Sequence, residues 1–177
     1  MEAVRGTVLP PELRADCAAC VGLCCVALPF DAAQGFGFDK PAHTACRHLC
    51  DDFRCGIHDT LDAKGFRGCI SFDCQGAGQR VSKRFPGADW TDDTDTAVVM
   101  FEAFSVMRGL HELMGWLYTA EQHVNDPRLR HQRGQIDALC DEPALNVRMA
   151  AEARAQTMAL LTEPSVRAAL QQLQARR

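Results

Sequence analysis

Nine cysteines crowd into the 58 positions from Cys17 to Cys74, and the tenth, Cys140, stands far downstream. They fall in three runs, DCAACVGLCCVALPF, ACRHLCDDFRCGIHD and FRGCISFDC. Gly22, Gly35, Gly37, Gly56, Gly65, Gly68, Gly76 and Gly78 interrupt the stretch too often for a sustained helix or strand period. It also carries few large apolar side chains for its length, so a fold there needs a covalent or metal staple. Disulfides fit poorly, because nine is odd and MEAVRGTVLPPELRADC holds no apolar run of the secretory kind. Inert buried thiols suit Cys140, beside Leu139 in a helical pattern, but not nine cysteines in polar loops. The expectation is a cytoplasmic chain, in a compartment that keeps thiols reduced, with metal as the staple.

The spacing sharpens this. Cys17 and Cys20 form a C-x-x-C pair, Cys24 and Cys25 follow at once, and Cys46, Cys50, Cys55, Cys69 and Cys74 complete the set. Two cysteines three apart can put both sulfurs on one ion through a tight turn, at about 2.3 Å for zinc. Adjacent side chains tend to point apart, so Cys24 and Cys25 make better sense as ligands to two ions, or to two metals of one polynuclear centre. Thiolate-rich sites suit zinc, iron–sulfur clusters and Cu(I), with zinc preferred here and iron or an iron–sulfur cluster close behind. His43, His48 and His58 lie in the same segment; His58, three residues after Cys55, has the best ligand spacing of the three.

The runs CAACVGLCC, CRHL, RCGIH and GFRGCISFDC resemble the CxxCxxCC (YkgJ-like) family, described as a zinc- or iron-chelating domain. They resemble more closely the cysteine-rich N-terminal region of actinobacterial pentapeptide-repeat-containing proteins, over roughly residues 13–120. The resemblance implies a ligand set of Cys17, Cys20, Cys24, Cys25, Cys46, Cys55, Cys69 and Cys74. Three residues rather than two separate Cys20 from Cys24, Cys50 is additional, and no A-[DN]-L-x-x array follows. Larger proteins with a similar cysteine pattern include the flagellin lysine methylase, but this chain has no recognisable methyl-donor motif.

Downstream the pattern becomes helical. Residues 80–95 read as a polar connector, and from about Asp95 the stripe Val99, Ala103, Val106, Leu110, Leu113, Leu117, Ala120 and Val124 predicts a helix of seven turns. Met100, Phe104, Met107, Met114 and Tyr118 widen its apolar face, with Glu102, Ser105, Arg108, Glu112 and Thr119 on the wet side. Helices are expected at 127–141, 143–162 and 164–175, the last with Val166, Leu170 and Leu173, each with Pro at its start. The fold class expected is mainly α: a cysteine-rich, metal-stapled loop region, 1–90, packed on a helical bundle, 91–177. His111 lies at helical spacing between Met107 and Met114, where a core histidine is expected rather than a ligand. Gln75–Gln79 reads as a turn rather than a nucleotide loop.

Charge excludes one class of partner. The net charge is −4, with 10 basic against 11 acidic residues up to Trp90 and 9 against 12 after it, which leaves no basic footprint for nucleic acid. Nothing approaches the eighteen or so apolar residues a membrane span needs. The expected function is a non-enzymatic metal-binding protein. The alternatives are an iron–sulfur redox or protein-modification component, or a module with structural zinc whose helical face binds a protein partner.

Overall fold

The computed structural model describes residues 8–175, with side chains through Leu170, and within that range the chain is mainly α-helical. Seven α-helices are described: α1 (Leu23–Ala27), α2 (Arg67–Ser71), α3 (Ala77–Arg84), α4 (Thr94–Glu121), α5 (Pro127–Cys140), α6 (Val147–Thr162) and α7 (Pro164–Ala175). Among the described residues extended pairing is confined to two isolated antiparallel bridges, Phe30 with Lys40 and Leu49 with Cys55. None of the helices is long and apolar enough to cross a membrane. The chain divides into two compact units, Ala15–Arg108 and Met1–Arg14 with Gly109–Arg177.

The unit Ala15–Arg108 holds all nine clustered cysteines. Glycines in the left-handed region open two of its helices, Gly22 at φ 71° leading into α1 and Gly76 at φ 85° into α3, and a Cβ at Gly22 would lie 2.9 Å from Leu49 Cδ1. The loops also enclose a small aromatic core, which the sequence pattern does not reveal. Phe30 stacks on Phe36 with ring centroids 5.0 Å apart, and Phe38 meets Phe30 and Phe66 edge-on at 5.9 and 5.8 Å. These phenylalanines are scattered through the glycine-rich loops, so no period announces them. Residues 80–95 are not wholly a connector, since α3 runs to Arg84 with Ala77 and Val81 buried on one face. Gln75 and Gly76, both at positive φ, form the expected turn and deliver the chain into α3. Trp90 ties down the stretch between α3 and α4: its Nε1–H donates to Val21 O at 2.7 Å, and its ring meets Phe53 and Phe101.

α4 is capped by Asp93, whose Oδ1 accepts the Thr96 N–H at 2.8 Å. Its buried stripe at the N-terminal end is Met100, Phe104 and Met107; Val99, expected inside, is 53% exposed. Further along the helix is buried almost all round, which takes in Thr119 as well as His111. Thr119 tolerates this because its hydroxyl donates to Gly115 O at 2.8 Å. The helix stops at Glu121, before Val124. Asp126 caps α5 by accepting the Arg128 N–H, with Pro127 at the first helical position. α6 begins at Val147 rather than Pro143, because Asn146 accepts the Met149 N–H at 3.1 Å and 142–145 form a separate turn. α5 packs on α6 and α6 on α7, where Val166 is buried; Leu173 lies outside the described side chains. Cys140 is fully buried at the end of α5, as an inert thiol should be.

Candidate metal centre

Four cysteines of the Ala15–Arg108 unit share one local geometry. At Cys46 the amide two residues on donates to the sulfur, and at Cys20, Cys55 and Cys74 the amide two residues on pulls the thiol's pKa down against burial. The His48 N–H donates to Cys46 Sγ at 3.4 Å, and the other three amides are those of Gly22, Ile57 and Gly76. Leu23 and Gly78 add a second N–H to Cys20 and Cys74. A neutral thiol is a poor acceptor and gains little from such donors, whereas a thiolate gains a charge-assisted hydrogen bond from each. Glycine two residues after Cys20 and Cys74 is the sequence signal that could have flagged these turns.

The sulfurs form two neighbourhoods joined at Cys24. On one side, burial and then the charges of Cys24, Cys20 and Cys74 push the Cys17 thiol above its usual value, while Arg54 pulls it down. On the other, burial and then Cys46, Cys55 and Cys24 push Cys69 up to about 11, and burial with Cys46, Cys24 and Cys50 raises Cys55. Cys24 also acts on Cys20 and Cys74, both raised chiefly by burial. Its own thiol is held well above the usual range, first by a hydrogen bond with Cys25 and then by burial. Raised in this way, Cys17, Cys20, Cys24, Cys55, Cys69 and Cys74 keep their protons at neutral pH.

The sulfurs of Cys24 and Cys25 stand 3.9 Å apart on α1. Two corners of a tetrahedron with bonds of ~2.3 Å are separated by about 3.8 Å. Adjacency in sequence therefore does not force the pair onto different ions, contrary to the argument from diverging side chains. Among the described residues, however, no three His, Cys, Asp or Glu side chains stand in an arrangement that already fits one metal ion. The donor set suits soft or borderline metals in chemistry, while its sulfurs are gathered rather than in ligand register.

Cys20 and Cys74 converge beside Gly78 of α3, where a Cβ would lie 2.7 Å from the Cys20 sulfur and 3.8 Å from that of Cys74. A methyl group there has to displace the Cys20 sulfur, since the helix backbone cannot retreat from its own side chain. Gly78→Ala is expected to leave the helical signal intact, cost about 1–3 kcal/mol of stability through overpacking, and lower bound metal by up to one equivalent. Elemental analysis beside a denaturant melt checks this; unchanged metal content would show that Cys20 is not a ligand.

The histidines are engaged elsewhere. His48 packs edge-on against Phe66 and Phe38, His43 stacks on Phe101 at 5.0 Å, and His58 lies exposed beside Asp59. Cys50 is exposed, next to Gly56 and within electrostatic reach of Cys55. Two cations border the thiols, neither singled out by the sequence pattern. Arg54 Nη2 donates to Ala18 O at 2.9 Å, beside Cys17. Lys40 is only 4% exposed, and burial pushes its ammonium below the usual value while Cys46, Cys25 and Cys24 act the other way.

Comparison with known proteins gives one informative similarity. Over 110 residues the chain is 47% identical to the uncharacterised protein YybG of Bacillus subtilis. The aligned part is 62% of this chain but 39% of YybG, so the chain spans about two-fifths of the length of the curated relative it matches. No protein-family model matches the chain, and no solved structure does either.

Proposed function

We propose that the segment Cys17–Cys74 is a thiolate metal centre that holds zinc or iron, as two ions or one polynuclear centre. The observation that carries this reading is the gathering of sulfurs, Cys24 Sγ 3.9 Å from Cys25 Sγ and Cys20 beside Cys74 at Gly78, with backbone N–H groups that favour charged sulfur at Cys20, Cys46, Cys55 and Cys74. Backbone dipoles converging on gathered thiols favour charged sulfur, and charged sulfur inside a protein calls for a cation. Cys17, Cys20 and Cys74 would serve one metal position, and Cys46, Cys55 and Cys69 the other. Cys24, the sulfur that borders both, would bridge the two positions, with Cys25 beside it on α1 as the eighth thiolate. The resemblance to the CxxCxxCC domain supports the same eight. Bound zinc would act as a structural staple, whereas iron–sulfur would add electron transfer.

The test is elemental analysis of protein purified without oxygen from medium supplemented with both zinc and iron. About two metal equivalents per chain are expected, because eight thiolates exceed what one tetrahedral ion uses. A brown protein identifies iron–sulfur and a colourless one zinc. Cys140→Ala should leave the content unchanged, since Cys140 is buried in α5 of the other unit. Folded, metal-free protein with all ten cysteines titrating as free thiols would overturn the reading.

A further inference from the structure

Lys40 is the one lysine buried in the cysteine-bearing unit, and its placement is unusual for an ammonium. Its Nζ donates to four backbone carbonyls: Leu28 at 2.6 Å, Thr44 at 2.7 Å, Pro41 at 3.1 Å and Val26 at 3.3 Å. The antiparallel bridge with Phe30 sets its position, which also brings Nζ to 4.7 Å above the Phe30 ring. These partners are not scattered. Val26 directly follows Cys25 on α1, Leu28 caps that helix, and Thr44 stands two residues before Cys46. The Cys46 N–H in turn donates to Cys25 O at 2.9 Å. One side chain thus ties the end of the Cys24–Cys25 helix to the strand of loop that presents Cys46.

Hydrogen bonding alone does not require a charge here. A buried ammonium costs several kcal/mol to desolvate, and no carboxylate is among the groups that act on Lys40, which are the sulfurs of Cys46, Cys25 and Cys24. We infer that Lys40 is a positioning residue and built-in counter-cation for the Cys24, Cys25 and Cys46 part of the centre, an assignment that rests on the metal reading above. A set of four thiolates around a divalent ion carries a net charge of −2, which a fixed positive charge nearby stabilises. The four carbonyls hold that charge in place without neutralising it. Lys40 therefore favours the loaded state over the metal-free one, and favours the more negative loaded centres most.

Cadmium, a soft divalent ion, is the probe, titrated into metal-free reduced protein against a competing chelator. Wild type, Lys40→Gln and Lys40→Arg are compared, with circular dichroism as the folding control. Gln can donate to the carbonyls without charge, whereas Arg keeps the charge. Lys40→Gln is expected to weaken cadmium binding about 10- to 100-fold, the usual effect of losing a residue that supports metal ligands. Lys40→Arg is expected to recover most of that loss. If Lys40→Gln binds as tightly as wild type, or if Arg and Gln lose affinity equally, the counter-cation assignment is overturned.

Should Lys40→Gln fail to fold, amine labelling of the wild-type protein decides. The chain has only three lysines, Lys40, Lys64 and Lys83, so labelling resolves by mass spectrometry. Lys40 is expected to resist labelling with cadmium bound and to react once it is stripped, while Lys64 and Lys83 react in both states. Equal labelling of Lys40 with and without cadmium overturns the assignment. Wild type that takes up no cadmium, zinc or iron overturns the metal reading itself, and the assignment with it.

Discussion

Cys24→Ser is expected to strip more metal from the protein than Cys17→Ser or Cys69→Ser. Cys17 belongs to the neighbourhood of Cys20 and Cys74, and Cys69 to that of Cys46 and Cys55; Cys24 acts on both. Replacing an outer cysteine leaves three thiolates in its set and the other set whole, so about one equivalent should survive. Replacing Cys24 leaves each neighbourhood without the sulfur they share. It also removes the partner of Cys25, whose sulfur lies 3.9 Å away. The energetic consequence is large: a structural zinc site contributes on the order of 10 kcal/mol, comparable to the 5–15 kcal/mol net stability of a typical domain. Cys24→Ser should accordingly yield a protein whose 15–108 unit is cleaved rapidly by protease, with less than one equivalent of metal after gel filtration. Equal metal content in Cys24→Ser and Cys17→Ser would show that the two neighbourhoods do not meet at Cys24, and that some other cysteine completes each.

How legible this was in the sequence differs between the two units, for a physical reason. Helices announce themselves by period, so α4, α5 and α7 stand close to their expected places, and the errors lie at ends that caps decide. Asn146 moves the start of α6 from Pro143 to Val147 because one side-chain acceptor at an orphan N–H outweighs a favourable proline. Which face of α4 is buried was legible only in part. Val99 and Met100 are adjacent and both apolar, and only packing decides that Met100 goes inside while Val99 stays half-exposed. In the cysteine segment the residue types suggested thiolate chemistry, and the spacing put Cys17 beside Cys20, which acts on it. The neighbours of Cys24, the aromatic core of Phe30, Phe36, Phe38 and Phe66, and the cage around Lys40 all depend on loops closing over tens of residues. No local pattern encodes them. Lys40 left one faint trace, as a lone cation among phenylalanines and cysteines.

Chelation is expected to dismantle the cysteine segment while sparing most of the helical signal. α1 and α2 have five residues each and α3 has eight, all below the ~12–15 residues at which an isolated helix becomes even marginal in water. What holds them is loop closure around the sulfurs, a handful of phenylalanines and the Lys40 cage, and a closed loop without its staple regains its conformational entropy. By contrast α4 has 28 residues, α5 14 and α6 16, with Leu110, Leu113, Leu117, Leu129, Ile136, Leu160 and Leu161 buried in the unit Met1–Arg14 with Gly109–Arg177. That unit contains none of the clustered cysteines. α1–α3 account for about a fifth of the residues in α-helices, so a strong chelator should remove about that fraction of the circular dichroism signal. If residues 94–108 of α4 unwind with the unit they belong to, the loss rises to about two-fifths, which the same spectrum distinguishes. Limited proteolysis should then cut first between Cys25 and Cys69 and leave a fragment carrying α5 and α6. Loss of all helicity in one cooperative step would mean instead that α4–α6 cannot stand without the metal.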